Sequence, residues 1–196
     1  QLQLPGSRAR LHALAFDVIE FMWGGRAPRP ATTWAEPVPP FASHSTDVVA
    51  ADLAEHARLA RSAQENDDPR WSALRALYAR RSAEHAQKSG ALEAPAGLWL
   101  AFAALVSGAE KADSLRRAAF LLSQAGRTRE VEPILTEALE LARATGERAL
   151  EARVVESLAN LHRGLGRYGP AERAFGEALE LLRGLHLPRF ESIALG

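Results

Sequence analysis

Cysteine is absent from the 196 residues of the chain. This absence excludes disulfide bonds, thiol catalysis and zinc sites built from cysteine ligands. An excess of charge of either sign is also missing, because 24 lysines and arginines balance 24 aspartates and glutamates. Nothing at the level of the whole chain therefore favours binding to nucleic acid or to an acidic membrane surface. We expect a cytoplasmic protein without a nucleic-acid partner.

Sequence motifs typical of catalysis are missing as well. The chain has no glycine-rich phosphate-binding loop and no Gly-x-Ser-x-Gly sequence around a nucleophile. Its histidines show no close pair and no His-Glu-x-x-His spacing, so that nothing in their pattern suggests metal ligation. They are His12, His44, His56, His85, His162 and His186. We predict no catalytic residue, no metal site and no cofactor, and we expect that the chain is not an enzyme.

The most apolar N-terminal stretch, residues 11–23, is too short to cross a membrane. It carries Asp17 and Glu20, and a membrane span needs roughly 20 apolar residues. We predict an amphipathic helix that ends at Gly24-Gly25 and packs on the body of the domain. Its packed stripe is predicted to comprise Leu11, Leu14, Ala15, Val18, Ile19 and Met22, with His12, Asp17 and Glu20 off the stripe. The alternative is a helix that docks on a membrane surface or a partner.

Prolines are frequent between Gly24 and Ser45, at positions 28, 30, 37, 39 and 40. They exclude a helix in this segment and predict an extended connection of about 20 residues. Trp34 and Phe41 indicate that the segment is held against the protein, because free linkers seldom carry large apolar side chains. We favour a strap that covers a helix face, and a binding loop is the alternative.

Helical periodicity covers most of the remaining chain. With 47% hydrophobic residues, the chain can bury the core of one domain. Ser45 or Thr46 is predicted to cap one helix, and Pro69 to begin the next. Residues 98–106 are apolar on nearly every side, which is typical of a helix buried on several faces. The sequence therefore predicts an all-α fold.

Residues 152–182 are predicted to form two antiparallel helices. Apolar side chains recur in the first at three- and four-residue spacing, and the small Ala159 leaves room for the second helix. Gly166 can adopt the left-handed conformation that ends a helix, and Pro170 suits the first turn of the next. Seven positions together resemble the tetratricopeptide repeat: Leu158, Ala159, Gly166, Tyr168, Ala171, Phe175 and Ala178. His162 stands where that family usually has tyrosine.

A second copy of this pattern occupies residues 112–142, offset by about 40 residues. Gly126 matches Gly166, and Leu135 matches Phe175. The period is longer than the usual repeat of this family and resembles the repeats of bacterial signal-transducing regulators and of adaptor scaffolds. Three positions of this copy depart from the family pattern: Thr128, Val131 and Pro133. The proline should delay the start of its helix or bend it.

The resemblance implies a right-handed solenoid of helical hairpins. Two repeats alone are too few to bury a continuous core, so we expect the N-terminal helices to cap the array. The predicted division is an N-terminal helix with the proline-rich strap in residues 1–45, a helical capping region or degenerate repeat in 46–110, and two repeats with a C-terminal segment in 111–196.

The resemblance also implies where a partner would bind. In this family the first helix of each repeat lines an inner groove that holds a peptide or a helix of another protein. The predicted partner-binding residues at these positions are Arg116, Arg117, Phe120, Arg153, Asn160 and Arg163. Arginine side chains around an aromatic anchor would suit a carboxylate-bearing peptide. The alternative is that the arginines pair with neighbours such as Asp113 and Glu156.

Three functions follow from these patterns. The first is a protein–protein interaction scaffold, as a module of a larger regulator. The second is a structural subunit of a multiprotein complex, associated with a membrane or not, that docks through the N-terminal helix and the strap. The third is an enzyme or a small-molecule sensor, which no group of residues in the sequence indicates. The sequence leaves the partner and the oligomeric state undefined.

Overall fold

The computed structural model describes residues 5–32, 34, 40–61, 68–88 and 92–185. These residues contain eight α-helices, one 3₁₀ helix and no strand, as the all-α prediction requires. The elements are α1 (Pro5–Met22), a 3₁₀ helix (Ser45–Val49), α2 (Ala50–Arg61), α3 (Pro69–Lys88), α4 (Glu93–Ala103), α5 (Gly108–Gln124), α6 (Thr128–Thr145), α7 (Arg148–Gly164) and α8 (Tyr168–Arg183).

Several predictions fall on residues outside these ranges. They concern the prolines at 37 and 39 in the strap, and His186 with the rest of the C-terminal segment. Among the described residues, no helix has the length and hydropathy needed to cross a membrane. The chain divides into two compact units: an N-terminal unit of Gln1–Pro30 and Pro40–Ala91, and a repeat unit of Ala31–Pro39 and Leu92–Gly196.

The repeat unit is a solenoid of helical hairpins. Helix α5 packs on α6 and α7 packs on α8, while α4 packs on α5 and α6 on α7. Small residues allow the helices to approach closely, and the alanines on their facing sides are fully buried: Ala118, Ala119, Ala138, Ala142 and Ala159. The position of Ala159, predicted to be a close helix contact, therefore has no room for a larger side chain.

Both hairpins turn in the same way. Gly126 and Gly166 have φ angles of 78° and 71°, in the left-handed region that glycine adopts most easily. The next backbone N–H then donates to a carbonyl five residues earlier, from Arg127 to Leu122 and from Arg167 to His162, each at 2.9 Å. This is the Schellman arrangement that ends a helix at a left-handed glycine. Its recurrence confirms the offset of about 40 residues between the repeats.

Helix α6 begins at Thr128 and contains Pro133. Of the two predicted effects of this proline, the delayed start of the helix is wrong, because the five residues before Pro133 are helical. Pro133 lacks the N–H that would donate to the Arg129 carbonyl, and its ring crowds that carbonyl, but neither effect prevents the residues before it from being helical.

In the N-terminal unit, α1 packs on α2 and α2 packs on α3. Phe16 of α1 is fully buried, with its ring edge-on to Trp71 at 5.4 Å and close to Tyr78 at 5.7 Å between centroids. Most of the stripe predicted to pack is wrong, because Leu11, Leu14, Val18 and Met22 are exposed. Ile19 is the member of that stripe that packs on the core as predicted. The packed face of α1 instead comprises Ala9, Ala13, Phe16, Ile19 and Glu20, with His12 beside it.

Buried polar partners explain why α1 is turned this way. The Tyr78 hydroxyl donates to Glu20 Oε1 at 2.7 Å, and Arg26 donates to both oxygens of the same carboxylate at 3.1 Å. His12 and His56 share a hydrogen bond between their Nδ1 atoms, 2.9 Å apart. Residues expected on the solvent face thus lie at the interface, since each has a partner there that compensates its loss of water.

Arg81 joins the two described ends of the proline-rich segment to α3. It donates from Nε and Nη2 to the two oxygens of Asp47, at 2.6 and 3.1 Å, and both side chains are almost completely buried. It also donates to the carbonyls of Pro28 and Ala42 at 2.8 and 3.0 Å, and its guanidinium lies 4.8 Å from the Phe41 ring. The strap is held by a buried ion pair in addition to its aromatic residues.

The cap of the helix after the strap also differs from the prediction. His44, and neither Ser45 nor Thr46, is the N-cap of the 3₁₀ helix that leads into α2. Its ring accepts from the Thr46 N–H, and its own N–H donates to Asp47 Oδ2 at 2.8 Å. Asp47 is in the first turn of the 3₁₀ helix, and Pro69 begins α3 as predicted.

Candidate functional site

A cleft with a volume of about 340 Å³ lies between α5 and α7. Its lining combines an apolar floor with polar side chains from the two first helices of the repeats. The lining residues are Ala119, Phe120, Ser123, Gln124, Val131, Leu135, Ser157, Asn160, Leu161 and Arg163. We call this the repeat cleft. Its volume lies at the lower end of the range for ligand pockets and suits one or two side chains of a bound segment.

Equivalent positions of the two repeats face each other across the repeat cleft. Phe120 of α5 corresponds to Asn160 of α7, and Ser123 corresponds to Arg163, at the offset that relates the two hairpins. Successive first helices of a solenoid present the same face to the inner side, which brings these positions together. The cleft is thus a direct result of the repeat, while its chemistry results from the differences between the copies.

Arg163 provides the positive charge of the cleft. It donates one hydrogen bond from Nη2 to Asn160 Oδ1 at 2.8 Å, and its guanidinium lies 6.0 Å from the Phe175 ring. Asn160 in turn donates from Nδ2 to the Glu156 carbonyl at 3.0 Å. An arginine has five N–H groups, so this side chain can hold its orientation through Asn160 and still donate to a ligand. Of the described residues that line the cleft, Arg163 alone is charged.

Phe120 is the apolar counterpart of Arg163. Its side chain is 52% exposed, although the neighbouring Ala119 and Leu121 on the same helix are buried. Beside it, Val131 and Leu135 of α6 are almost completely buried at the floor of the cleft. A partly exposed aromatic ring next to a buried apolar floor and an arginine is the kind of surface that binds an apolar side chain together with a neighbouring carboxylate.

Two of the predicted site residues lie elsewhere. Arg116 donates to Asp113 Oδ1 at 2.6 Å, and Arg117 donates from Nε to Asp113 Oδ2 at 2.9 Å. The Arg117 guanidinium also lies 4.6 Å from the ring of the buried Trp99. Both arginines are largely covered, with side-chain exposures of 17% and 14%. They serve first to compensate the buried carboxylate of Asp113, as the alternative interpretation of the sequence proposed.

Arg153, the remaining predicted residue, lies on α7 outside the lining of the cleft. Its carbonyl accepts a hydrogen bond from the Ser157 hydroxyl at 2.9 Å. The structure therefore brings together Phe120, Asn160 and Arg163 of the six predicted residues and leaves Arg116, Arg117 and Arg153 apart from them.

The floor of the cleft was missed in the sequence. Val131 was recognised only as a departure from the small residue usual at that position, and Leu135 only as a counterpart of Phe175. Both lie on α6, the second helix of the repeat, and are almost completely buried, so their spacing indicates only core residues. The sequence signal for them is a pair of substitutions in this copy: Val131 where the family prefers a small residue, and Leu135 where the other copy has Phe175.

In the parts of the chain that the structure describes, no three or more histidine, aspartate or glutamate side chains lie close enough together to bind a metal ion. The closest approach of two histidines is the His12–His56 pair in the N-terminal unit, outside the repeats.

The helical hairpins, their left-handed glycines and the inner cleft define a helical-repeat protein. Residues 110–184 match the family model of the tetratricopeptide repeat. The match confirms, over these residues, the resemblance to this family that the sequence motifs indicated. Neither the search of curated proteins nor the search of solved structures found a match. Tetratricopeptide repeats generally mediate protein–protein interaction.

Proposed function

We propose that the repeats bind a short segment of another protein in the repeat cleft, and that the chain acts as a non-catalytic interaction scaffold. The observation that carries this proposal is the position of the half-exposed Phe120 beside Arg163, over a floor of buried apolar side chains. Such a surface is costly to leave exposed to water, and a partner residue that covers Phe120 would remove that cost.

The chemistry of the cleft defines the class of segment. An apolar side chain would lie against Phe120, Val131 and Leu135, and a carboxylate next to it in the segment would accept from Arg163. Because Asn160 already fixes the guanidinium, little conformational entropy would be lost when the carboxylate binds. We therefore propose an acidic, apolar-containing peptide or helix of a partner, presented in the cytoplasm as part of a larger regulator.

A peptide library displayed on phage provides a probe that requires no knowledge of the natural partner. We expect panning on the full chain to enrich sequences in which an acidic residue accompanies a large apolar one. Arg163→Gln should weaken the enriched peptides about tenfold or more, since a charge-assisted hydrogen bond of about 1.5–3 kcal/mol is lost. The remaining binding should depend less on salt. Phe120→Ala should weaken binding equally at low and high salt.

Matched controls come from exposed residues of α8, outside the cleft. Arg173→Gln removes an exposed arginine and Tyr168→Ala an exposed aromatic ring, and neither should change the affinity. Titration calorimetry of wild type and the four variants with one enriched peptide measures these differences. Equal affinity for wild type, Arg163→Gln and Phe120→Ala would show that the repeat cleft is not the binding site.

The subunit alternative, docking through the N-terminal helix and strap, is supported by the exposed apolar side chains of α1. Deletion of residues 1–45 cannot test it, because α1 contributes Phe16 and Glu20 to the core of the N-terminal unit and the strap contacts Arg81. Point substitutions on the exposed face of α1 are the suitable test.

A further inference from the structure

Helix α1 carries a second apolar face, opposite the one that packs on α2. Its large side chains are exposed: Leu11 by 52%, Leu14 by 61%, Val18 by 47%, Phe21 by 83% and Met22 by 75%. We call this set the α1 stripe. At 3.6 residues per turn, all five positions fall within an arc of about 100°. The packed residues Ala9, Phe16 and Glu20 project from the other side of the helix.

The spacing of the α1 stripe is that of a two-stranded helical seam. Leu11, Leu14, Val18 and Phe21 alternate steps of three and four residues, the a and d positions of a heptad. An apolar arc this narrow is covered completely by one partner helix. A helix that lies in a membrane surface generally has a wider apolar face and a polar face rich in lysine and arginine.

The area of the α1 stripe is sufficient for a stable dimer. The exposed fractions of its five side chains amount to roughly 600 Å² when large apolar side chains are taken as about 150–250 Å² each. The largest apolar patch on a typical monomer is about 300–600 Å², whereas a standard interface buries about 800 Å² on each partner. Two copies of the stripe facing each other would bury about 1,200 Å² in total, at the lower end of the range for specific interfaces, which suits a dimer that dissociates on dilution.

Charges beside the α1 stripe favour a protein partner over a lipid surface. Arg10 and Asp17 lie along the same edge, seven residues apart, so the flank is not uniformly basic. Asp17 accepts from Arg70 of α3 at 2.9 Å, which keeps a carboxylate at the middle of that edge. Because charges of both signs alternate here, this edge offers no cluster of basic side chains to an anionic membrane, whereas a neighbouring helix with mixed charges can pair with both signs.

We propose that α1 pairs with α1 of a second copy of this chain through the α1 stripe. The helix is already folded and held by Phe16 and Glu20 on its other side, so pairing does not require a disordered segment to fold. The pairing is independent of the repeat cleft, whose residues belong to α5, α6 and α7. Dimerisation would present two repeat clefts to a partner and raise the avidity for any ligand with two binding segments.

Sedimentation equilibrium of the full chain tests the proposal. We expect a dimer at about 100 µM chain, dissociating on dilution. The double variant Leu14→Glu/Phe21→Glu places four carboxylates in the seam of the dimer and should be monomeric at the same concentration. The matched control, Leu165→Glu, places a carboxylate at an exposed leucine of the repeat unit and should remain a dimer. Equal helical signals by circular dichroism show that each variant is folded.

Single cysteines locate the contact, because the chain has none of its own. Leu14→Cys and Val18→Cys should each form a disulfide-linked dimer under mild oxidation if the helices are parallel. If the helices are antiparallel, a mixture of the Leu14→Cys and Val18→Cys variants should instead form a disulfide-linked dimer with one chain of each variant. Ser157→Cys, in the repeat cleft, should form neither.

Three results would overturn the pairing of α1 with itself. The first is a monomer at all concentrations for the wild type. The second is a dimer that survives in Leu14→Glu/Phe21→Glu. The third is a monomer that sediments with vesicles of phosphatidylcholine and phosphatidylserine and loses this binding in the double variant, since the α1 stripe would then face lipid.

Discussion

The N-terminal unit and the repeat unit differ in what holds their helices together. In the N-terminal unit, charged groups lie inside: Arg81 with Asp47, and Glu20 with Tyr78. In the repeat unit the helices meet through fully buried alanines, and the buried carboxylate of Asp113 pairs with arginines of its own helix, Arg116 and Arg117. The ion pairs that bridge its later helices, such as Arg143 with Glu177, lie at the surface.

Because of this difference, the stability of the two units depends on different features of the sequence. The alanine contacts of the repeat unit recur at regular spacing, so the local pattern specifies them. The polar contacts of the N-terminal unit join residues 34 to 58 positions apart, and each requires one particular partner. We expect the N-terminal unit to lose more stability when a polar group is removed, and the repeat unit to be most sensitive to added volume.

The largest effect is expected from Arg81→Met. Removing the arginine leaves the buried Asp47 carboxylate without its cationic partner, and two strap carbonyls lose a donor. The loss of one partner of a buried ion pair costs about 3–5 kcal/mol. Urea denaturation measures the free energy of unfolding, and hydrogen exchange should show faster exchange first in the 3₁₀ helix and α3.

Arg58→Met is the control for this substitution, because Arg58 forms its ion pair with Glu55 at the surface. It should change the free energy of unfolding by less than about 1 kcal/mol. If Arg58→Met and Arg81→Met were equally stable, the buried pair would contribute no more than an exposed one.

A smaller loss, of about 1–3 kcal/mol, is expected from Ala159→Leu, because its side chain has no space at a fully buried helix contact. Ala144→Leu introduces the same side chain at an exposed position of α6 and should leave the melting temperature nearly unchanged. Calorimetry of both variants tests the register of the repeats, and an unchanged melting temperature for Ala159→Leu would contradict it.

Tyr78→Phe should destabilise the protein by about 1–2 kcal/mol at neutral pH, through loss of the hydrogen bond to Glu20. Burial, followed by that hydrogen bond, raises the pKa of Tyr78 far above its usual range. Above about pH 10 the unfolded chain therefore releases a proton that the folded protein retains. The wild type should lose stability there by up to about 1.4 kcal/mol per pH unit relative to Tyr78→Phe.

Urea denaturation between neutral pH and pH 11 gives this comparison directly. Tyr168→Phe, at the exposed tyrosine of α8, is the control and should follow the wild type throughout. A constant difference between Tyr78→Phe and wild type over the whole range would show that Tyr78 ionises equally in the folded and unfolded chains.

The smallest effect is expected from Arg143→Met. This arginine donates to Glu151 at 2.9 Å and to Glu177 at 2.7 Å, and the bond to Glu151 is the main reason its pKa is raised. Because the arginine is half exposed, its loss should cost less than about 1 kcal/mol, and the difference should disappear in 1 M salt. A larger, salt-independent loss would show that surface pairs also hold the repeat unit together.

Much of the repeat unit could be predicted from the sequence. The turns at Gly126 and Gly166 and the helix contacts of the alanines depend on residues close together in the sequence. The spacing of these residues, repeated in both copies, therefore predicts them. The packed face of α1 could not be predicted in the same way. Hydrophobicity predicts that Leu11 and Val18 are buried. The buried side instead contains Glu20, because Tyr78, 58 residues later in the sequence, donates a hydrogen bond to its carboxylate.

The candidate site was predictable to the extent that the repeat specifies it. The correspondence of Phe120 and Asn160 follows from the offset, so their common position at the cleft could be predicted. Whether an arginine faces the cleft depends on neighbours outside the repeat pattern. Arg117 lies against Trp99 of α4, a contact that no repeat position specifies. Arg163 instead lies 6.0 Å from the Phe175 ring of the following helix and lines the cleft.

The left-handed glycines have a consequence for engineering. Gly126, Gly146 and Gly166 end three successive helices at intervals of 20 residues, and the space around each is open. The turns therefore depend on backbone conformation and not on neighbouring side chains, so the array can be cut at Gly146 and a further hairpin inserted. Because neighbouring helices lie about 8–10 Å apart, each added hairpin would lengthen the inner wall by about 10 Å. The length of recognised peptide is thus an adjustable property of this scaffold.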